Sequence, residues 1–498
     1  MSPFHIEIGL VILSVLLFTI DAIWPALNRK VIPWAAIGGT ALALLLLILG
    51  PGAAAEVPGY LQPYYGVDGL GLFYKGFALL TTLVVLVIAV EADPVVANFT
   101  GGQGAATRIP EFFILPLIIC TGMMWMASAK DLVSVFVPLE LVTISFYVMV
   151  AFARRSALSL EAGVKYLILG ALSTGILVYG IAWVYGATGS MSFAGIAMAA
   201  AEAKTSGIAL MFGAALLLAG LGFKVAAAPF HVWVPDVYQG APTPVTAFLS
   251  VGSKAAGFIV LTRTVAAFTG EGSQIAGGVE SLLLWGGVLT VVLGSLAAIT
   301  QTNIKRLFGY SSISHAGFLL IALACGTSER FGLTSGGIVA FYLATYLPMT
   351  LLGFLLLATL RSQGVPEDVK GITGLAKRSP AMAFALTVAL ASMAGLPLTA
   401  GFFGKMLVFV AAVDRGYFFA VALAVVGAAA GFYYYFKPIL AAWSNGGSDA
   451  AAPLKWTTLA RSFSAVLVVA IVVLGVYPRA LQGLLKEPAA PAAVTAVK

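Results

Sequence analysis

Four ionisable side chains sit where hydrocarbon is expected. Lys224 lies in GIALMFGAALLLAGLGFKVAAAPFHVW, Lys254 in AFLSVGSKAAGFIVL, Lys405 in GLPLTAGFFGKMLVF and Glu140 in DLVSVFVPLELVTISFYVMV. An ammonium inside a bilayer costs ~2.5–3.5 kcal/mol on insertion scales and more in simulations. Chains keep such groups when they pair with something or carry something. A series of protonatable groups within membrane helices is what a proton path needs. Desolvation disfavours the charged form of each group, and an opposite charge nearby favours it. A small change in the separation of Glu140 and Lys224 would therefore move the lysine between holding and releasing a proton.

A second rank of residues surrounds these. Lys224 and His231 flank Pro229, which has no N–H, so the carbonyl of Val225 loses its helical donor. Broken helices are tolerated in membranes where they line water or are buried in protein. Pro397, with Gly395, Gly401 and Gly404, marks a similar break ahead of Lys405. Lys165 stands about one turn into its helix, and His315 is interior to SSISHAGFLL. Each has a plainer reading. Glu140 and Lys254 would serve as structural charges, Lys165 would snorkel to the interface, and the histidines would be satisfied packing groups. Lys75 and Arg263 fall near expected helix ends, where snorkelling suffices. The cluster Tyr433–Tyr435 reads as packing or interfacial anchoring.

The elements that must position these groups follow from composition. The chain has 498 residues, 60% hydrophobic and 9% charged, against roughly 25% charged in a soluble domain. This excludes soluble folding and predicts an all-α polytopic membrane protein. The net charge of +7 is scattered through short loops, which argues against nucleic acid. Cys120 and Cys325 are too few for a cluster and lack zinc spacing, and both read as buried thiols. No P-loop or dinucleotide fingerprint is present. The apolar stretch Ile8–Trp24 lacks a small-residue cleavage site and reads as a first span rather than a signal peptide.

A requirement of about 20 apolar residues per crossing gives about 14 spans, at roughly 7–25, 31–50, 69–90, 110–128, 131–153, 161–186, 207–238, 243–268, 280–300, 305–325, 335–360, 379–413, 417–441 and 459–485. One set of loops carries Arg29, Lys30, Arg108, Arg154, Arg155, Lys305, Arg306 and several more basic residues, whereas the other carries Lys130, Lys204, Arg330 and Arg415. The first side is then cytoplasmic, and both termini are external, which is periplasmic in a bacterium. Spans four to eight and nine to thirteen read as two five-helix units, the second inverted, with broken helices at the seventh and twelfth spans. The expected divisions are 1–109, an N-terminal three-helix segment; 110–270, the first unit; 271–442, the second; and 443–498, a last helix and tail.

Three stretches then resemble a known family. LGFKVAAAPFHVWVPDVYQGAPTPVTAFLSVGSKAAGF, QTNIKRLFGYSSISHAGF and ASMAGLPLTAGFFGKMLVF look like the signature helices of the antiporter-like, proton-pumping membrane subunits of respiratory complex I. Within it, DVYQGAPTPVTAFLS is most similar to the N-type branch, and the lysine at 405 resembles the N or L types rather than M. The resemblance implies that Glu140 is the family's glutamate of helix five, Lys224 the lysine of the broken seventh helix, Lys254 the connecting lysine and Lys405 the terminal one. It implies that Lys165, His231 and His315 are secondary members of a central axis. It also implies no cofactor in this chain, with NADH, FMN, iron–sulfur clusters and quinone in partner subunits. The partners would be M-, K- and J-type membrane neighbours, a redox arm and membrane lipids, in a bacterial inner membrane. One rival reading is a subunit of a multisubunit sodium/proton antiporter, which shares the lysines; a second is a non-transporting structural scaffold, in which Lys224 and Lys405 could be neutralised without functional loss.

Overall fold

The computed structural model describes residues 2–52, 56–100, 109–202, 205–328, 330–445 and 453–485, with only the backbone placed at 25–30. The N-terminal helices are α1 (Pro3–Ile23), α2 (Pro25–Leu49) and α3 (Gly69–Thr100). Next come α4 (Glu111–Ser128), α5 (Leu132–Val150), α6 (Ala157–Thr188), α7 (Phe193–Ala201), α8 (Gly207–Val225), α9 (Val234–Gly240), α10 (Thr243–Phe248) and α11 (Lys254–Phe268). The remainder are α12 (Ala276–Ile299), α13 (Ile304–Ala324), α14 (Ser335–Ser362), α15 (Leu375–Arg378), α16 (Pro380–Ala394), α17 (Ala400–Asp414), α18 (Phe418–Trp443), α19 (Thr458–Val476) and α20 (Arg479–Leu485). Among the described residues there is no strand, and 13 helical segments are long and apolar enough to cross a membrane. The chain is an all-α polytopic membrane protein.

Helix is the form that lets an apolar segment satisfy its own backbone in lipid. The ends are set by local chemistry. Asp131 caps α5, accepting from Val133 and Ser134 N–H, while Ser134 reciprocates to the Asp131 N–H. Ser156, Ser192, Ser206, Asn303, Thr334 and Thr457 cap α6, α7, α8, α13, α14 and α19 through their side-chain oxygens. Glycine stops α6 and α16 in the left-handed conformation, at Gly189 (φ 69°) and Gly395 (φ 91°).

The expected seventh and twelfth spans each consist of two helices rather than one. In the first case α8 ends at Val225, residues 226–233 are non-helical, and α9 follows. In the second, α16 ends at Ala394 and α17 starts at Ala400. The α10 and α11 helices are joined by a five-residue π-helical segment, Leu249–Ser253, directly before Lys254. Periodicity did not anticipate that register shift or the short surface helix α7. Of the basic loop residues that predicted orientation, Arg108 and Lys204 lie outside the described residues, as do the side chains of Arg29 and Lys30.

Close helix contacts hold the layout. A methyl on Gly213, Gly180 or Gly220 would meet the facing backbone of α6 or α8 at 2.7–3.0 Å, so α6 and α8 pack backbone to backbone. Gly287, Gly294 and Gly317 do the same for α12 and α13. Helices α13 and α14 are almost wholly enclosed, whereas α1, α6 and α19 turn most of their surface outward with large apolar side chains such as Ile12, Ile168 and Val466. That surface fits a lipid solvent.

One expectation is corrected here. Lys75 does not snorkel: its side chain is fully buried against Glu7 of α1 and Tyr65, to both of which its ammonium donates. Tyr65 donates to Glu7 Oε1 at 3.0 Å, and burial together with the neighbouring carboxylate holds its hydroxyl protonated, well above the ordinary tyrosine range. Arg263 likewise pairs with Asp68 at 2.9 Å instead of reaching outward alone. Lys75→Ala should therefore leave Glu7 as a buried unpaired charge, costing about 3–5 kcal/mol. The expected outcome is a lower unfolding temperature of the purified protein, largely recovered in Glu7→Leu/Lys75→Met, as measured by thermal melts.

Candidate functional site: a buried charge axis

The first group stands on α5, α6 and α8. Glu140 and Thr143 are three residues apart on α5 and share a face. Glu140 Oε1 accepts from Thr174 Oγ1 of α6 at 2.9 Å. Lys224, in the last turn of α8 and 8% exposed, donates to Thr143 Oγ1 at 2.6 Å and lies 3.9 Å from Glu140 Oε1. The α8 terminus behind it is closed by Ala226 in the left-handed region (φ 66°), whose N–H and that of Ala227 return to Gly222 and Phe223 carbonyls. Ala228 N–H, beyond the helix, is taken by Thr290 Oγ1 at 2.9 Å. The Trp233 indole donates to the Phe223 carbonyl at 3.1 Å, folding the break back on α8.

Lys254 follows on α11. Gly257, one turn on, makes the approach to Lys224 possible: a methyl there would lie 2.8 Å from Val225 Cγ1 and 3.6 Å from Lys224 Cβ. The Lys254 ammonium donates to the carbonyl and hydroxyl of Ser312 on α13. Ser312 Oγ is also 3.1 Å from Tyr238 Oη of α9, so the first helix break and Lys254 share one hydroxyl. The Tyr346 ring of α14 lies 5.4 Å from Lys254 Nζ, its hydroxyl bonds Ser250 Oγ at 2.9 Å, and its face is 4.9 Å from the His315 ring.

His315 is held between two tyrosines, with Nδ1 at 2.7 Å from Tyr342 Oη and Nε2 at 3.1 Å from Tyr435 Oη. In the neutral ring one nitrogen donates and the other accepts, so either tautomer is served by rotating the two hydroxyls. Ser311 bonds the same Tyr435 hydroxyl. Tyr342 stacks on Phe318, whose ring is 5.7 Å from Lys405 Nζ. Lys405, on α17, donates to the Met393 and Ala394 carbonyls at 2.9 Å each. Those carbonyls are the unpaired end of α16, the negative pole of its dipole, so the break itself supplies the ammonium's partners.

The structure buries Lys224, Lys254, His315 and Lys405 in the interior, with Glu140, part-exposed, beside Lys224. Two expected members stand apart. Lys165 is 41% exposed and pairs with Glu161 at 2.7 Å and Asp236 at 2.6 Å, and Asp236 also takes Arg306. His231 lies in the non-helical segment after Pro229, partly buried, with no hydrogen-bond partner for Nδ1 among the described residues. Sequence reasoning missed Thr143, Thr174, Tyr238, Ser312, Tyr342 and Tyr346, and read Tyr435 as packing. Spacing offered one clue, since Tyr342 and Tyr346 are four apart in an otherwise apolar span. A hydroxyl inside a helix carries no desolvation penalty large enough to flag it, and Tyr435 reveals its partner only when α18 docks on α13.

Fold and site define a polytopic helical membrane protein whose interior holds several ionisable side chains partnered by hydroxyls, carbonyls and aromatic rings. Residues 129–431 match the family described as NADH:quinone oxidoreductase/Mrp antiporter, transmembrane. NADH-quinone oxidoreductase subunit N of Rhodospirillum rubrum is 39% identical over 432 residues, 86% of this chain and 84% of that protein. A chain in respiratory complex I from Thermus thermophilus superposes with a TM-score of 0.79 at 32% identity, covering 97% of this chain and 100% of the other. A chain of the Mrp complex from Dietzia sp. is alike in fold, with a TM-score of 0.81 at 20% identity over 98% of both chains. The chain belongs to this transmembrane family, on the branch of the NADH-quinone oxidoreductase N subunits.

The second break depends on glycine. A methyl on Gly401 would lie 1.9 Å from the Ser392 carbonyl oxygen. Gly401→Ala should push α17 from α16 and destabilise the protein by about 1–3 kcal/mol. Gly175→Ala, with no heavy atom within 4 Å of the new methyl, should leave the melting temperature unchanged or slightly raised. Parallel thermal melts check the pair.

Proposed function

We propose that this chain is a proton-translocating membrane-arm subunit of an NADH:quinone oxidoreductase. The observation that carries the reading is the burial of Lys224, Lys254, His315 and Lys405 in the interior, with Glu140 beside Lys224. These groups come from α5, α8, α11, α13 and α17, and hydroxyl and aromatic side chains surround them. Such groups are costly inside a membrane and mark ion or proton pathways. Protons enter from the cytoplasmic side to Lys224, pass by way of Lys254 and the neighbouring hydroxyls, and leave from Lys405 to the external side. Lys165, with its Asp236 and Arg306 partners, and His231 serve the uptake side. The energy comes from electron transfer elsewhere, felt at the Glu140–Lys224 pair as an electrostatic shift.

The chain's organisation accords with 1–109 as a three-helix segment, 110–270 and 271–442 as two inverted five-helix units, and 443–498 as a last helix and tail. Each unit contains one broken helix, ending at Val225 or Ala394. NADH, FMN, iron–sulfur clusters and quinone belong to partner subunits, with M-, K- and J-type chains as membrane neighbours. The location is a bacterial inner membrane with both termini periplasmic. The relatives named as N subunits favour this over a sodium/proton antiporter subunit, because the Mrp likeness is one of fold alone, at 20% identity.

Lys224→Ala should abolish both inhibitor-sensitive NADH:quinone activity and proton pumping in membranes where a native gel shows an assembled complex. Wild-type rates in that intact complex would refute the path. Recovery of the chain only with antiporter subunits would transfer it to the rival class. Reporter fusions at Arg155 and at the C-terminus should be active on the cytoplasmic and periplasmic faces respectively.

A further inference from the structure

Glu140 and Lys224 are opposite charges that face each other and yet are not in direct contact. Their closest approach is 3.9 Å, about an ångström longer than a charge-assisted hydrogen bond. Each is satisfied by its own threonine. Lys224 donates to Thr143 Oγ1 at 2.6 Å, and Thr174 Oγ1 donates to Glu140 Oε1 at 2.9 Å. We infer that Thr143 and Thr174 are positioning residues that hold the pair as two separately hydrogen-bonded ions, poised between an open and a closed arrangement. The inference rests on the proton-path reading of that pair.

The hydroxyl of Thr143 has one proton, and it is committed to the Leu139 carbonyl at 2.7 Å. Only lone pairs remain toward Lys224, so Thr143 is fixed as an acceptor and cannot be a donor that repels the ammonium. Thr174 has the opposite assignment and acts as donor to a carboxylate. Closure then exchanges one hydrogen bond for another across about one ångström instead of stripping an ion bare, which would be costly in this enclosure. The two threonines also ride on different helices. Thr143 moves with Glu140 on α5, whereas Thr174 is on α6, which is tied to α8 by Ser173 Oγ donating to the Gly220 carbonyl at 2.9 Å. A methyl at Gly220 would sit 3.0 Å from Leu177 Cα, so α6 and α8 are in close backbone contact. Displacing α5 against the α6–α8 pair therefore changes the Lys224–Thr143 and Glu140–Thr174 bonds together.

The test uses the assembled complex in native membranes, with Thr143→Val, Thr143→Ser, Thr174→Val and Thr174→Ser beside Lys224→Ala and Glu140→Gln. Valine keeps the shape and removes the oxygen, and serine keeps the oxygen. Each valine variant should lower coupled NADH:quinone turnover and pumping by about tenfold or more, the loss expected for a hydrogen bond to a charged group. Each serine variant should stay within about twofold of wild type. The rate–pH profile of the valine variants should also be displaced along the pH axis, whereas a smaller amount of intact complex only scales it. Valine variants within about twofold of wild type, or serine variants as poor as valine, overturn the inference. If those results come with inactive Lys224→Ala and Glu140→Gln, only the threonine assignment fails. If these two are also active, the proton-path reading fails with it.

Discussion

An ammonium ion placed inside a hydrocarbon slab must be solvated by the protein, because no water is there to do it. That constraint organises the centre of this molecule. Helices satisfy their own backbone along their length, where a carbonyl has only a second lone pair to offer, but their ends carry carbonyls with no helical donor at all. Lys405 is solvated by the two carbonyls left free where α16 stops. Lys224 sits at the end of α8, with a side-chain hydroxyl from α5 in place of carbonyls. Lys254 takes both the carbonyl and hydroxyl of Ser312. Helix interruption and charge burial coincide at Lys405, and the left-handed residues Ala226 and Gly395 close the two interrupted helices near Lys224 and Lys405.

Around Lys254 and His315 the partners include side chains that can donate and accept in either direction. Tyrosine and serine hydroxyls line the space between Lys254 and Lys405, and His315 is bonded at both nitrogens by such hydroxyls. Proton transfer along hydroxyls requires reorientation without net loss of hydrogen bonds, which a group that both donates and accepts can meet. The Tyr346, Tyr342 and Phe318 rings fill the space around the ions, which keeps lipid out and puts π faces within 6 Å of two ammonium groups. The outer helices contribute differently. Glu7, Tyr65 and Lys75 show that an ion pair can also be buried purely to fasten α1 against α3. A buried lysine by itself is thus a weak signal of function.

The sequence by itself determined the class of protein, the spans and the main charges. Composition forces a membrane solvent, hydrocarbon thickness forces span length, and a lysine in an apolar run is conspicuous because its desolvation is expensive. Pro229 and the Gly395–Gly404 glycines announced where two helices would stop, since their backbone constraints are local. The tertiary structure decided which charges belong together. Lys75 read as a snorkelling side chain until α1 brought Glu7 beside it, and Lys165 reached a surface network with Asp236, 71 residues away. Thr143, Ser312 and Tyr435 acquired meaning only from docking. A hydroxyl bonded within its own helix and one bonded to an ion on another helix have the same local sequence, and only the packing of distant segments distinguishes them.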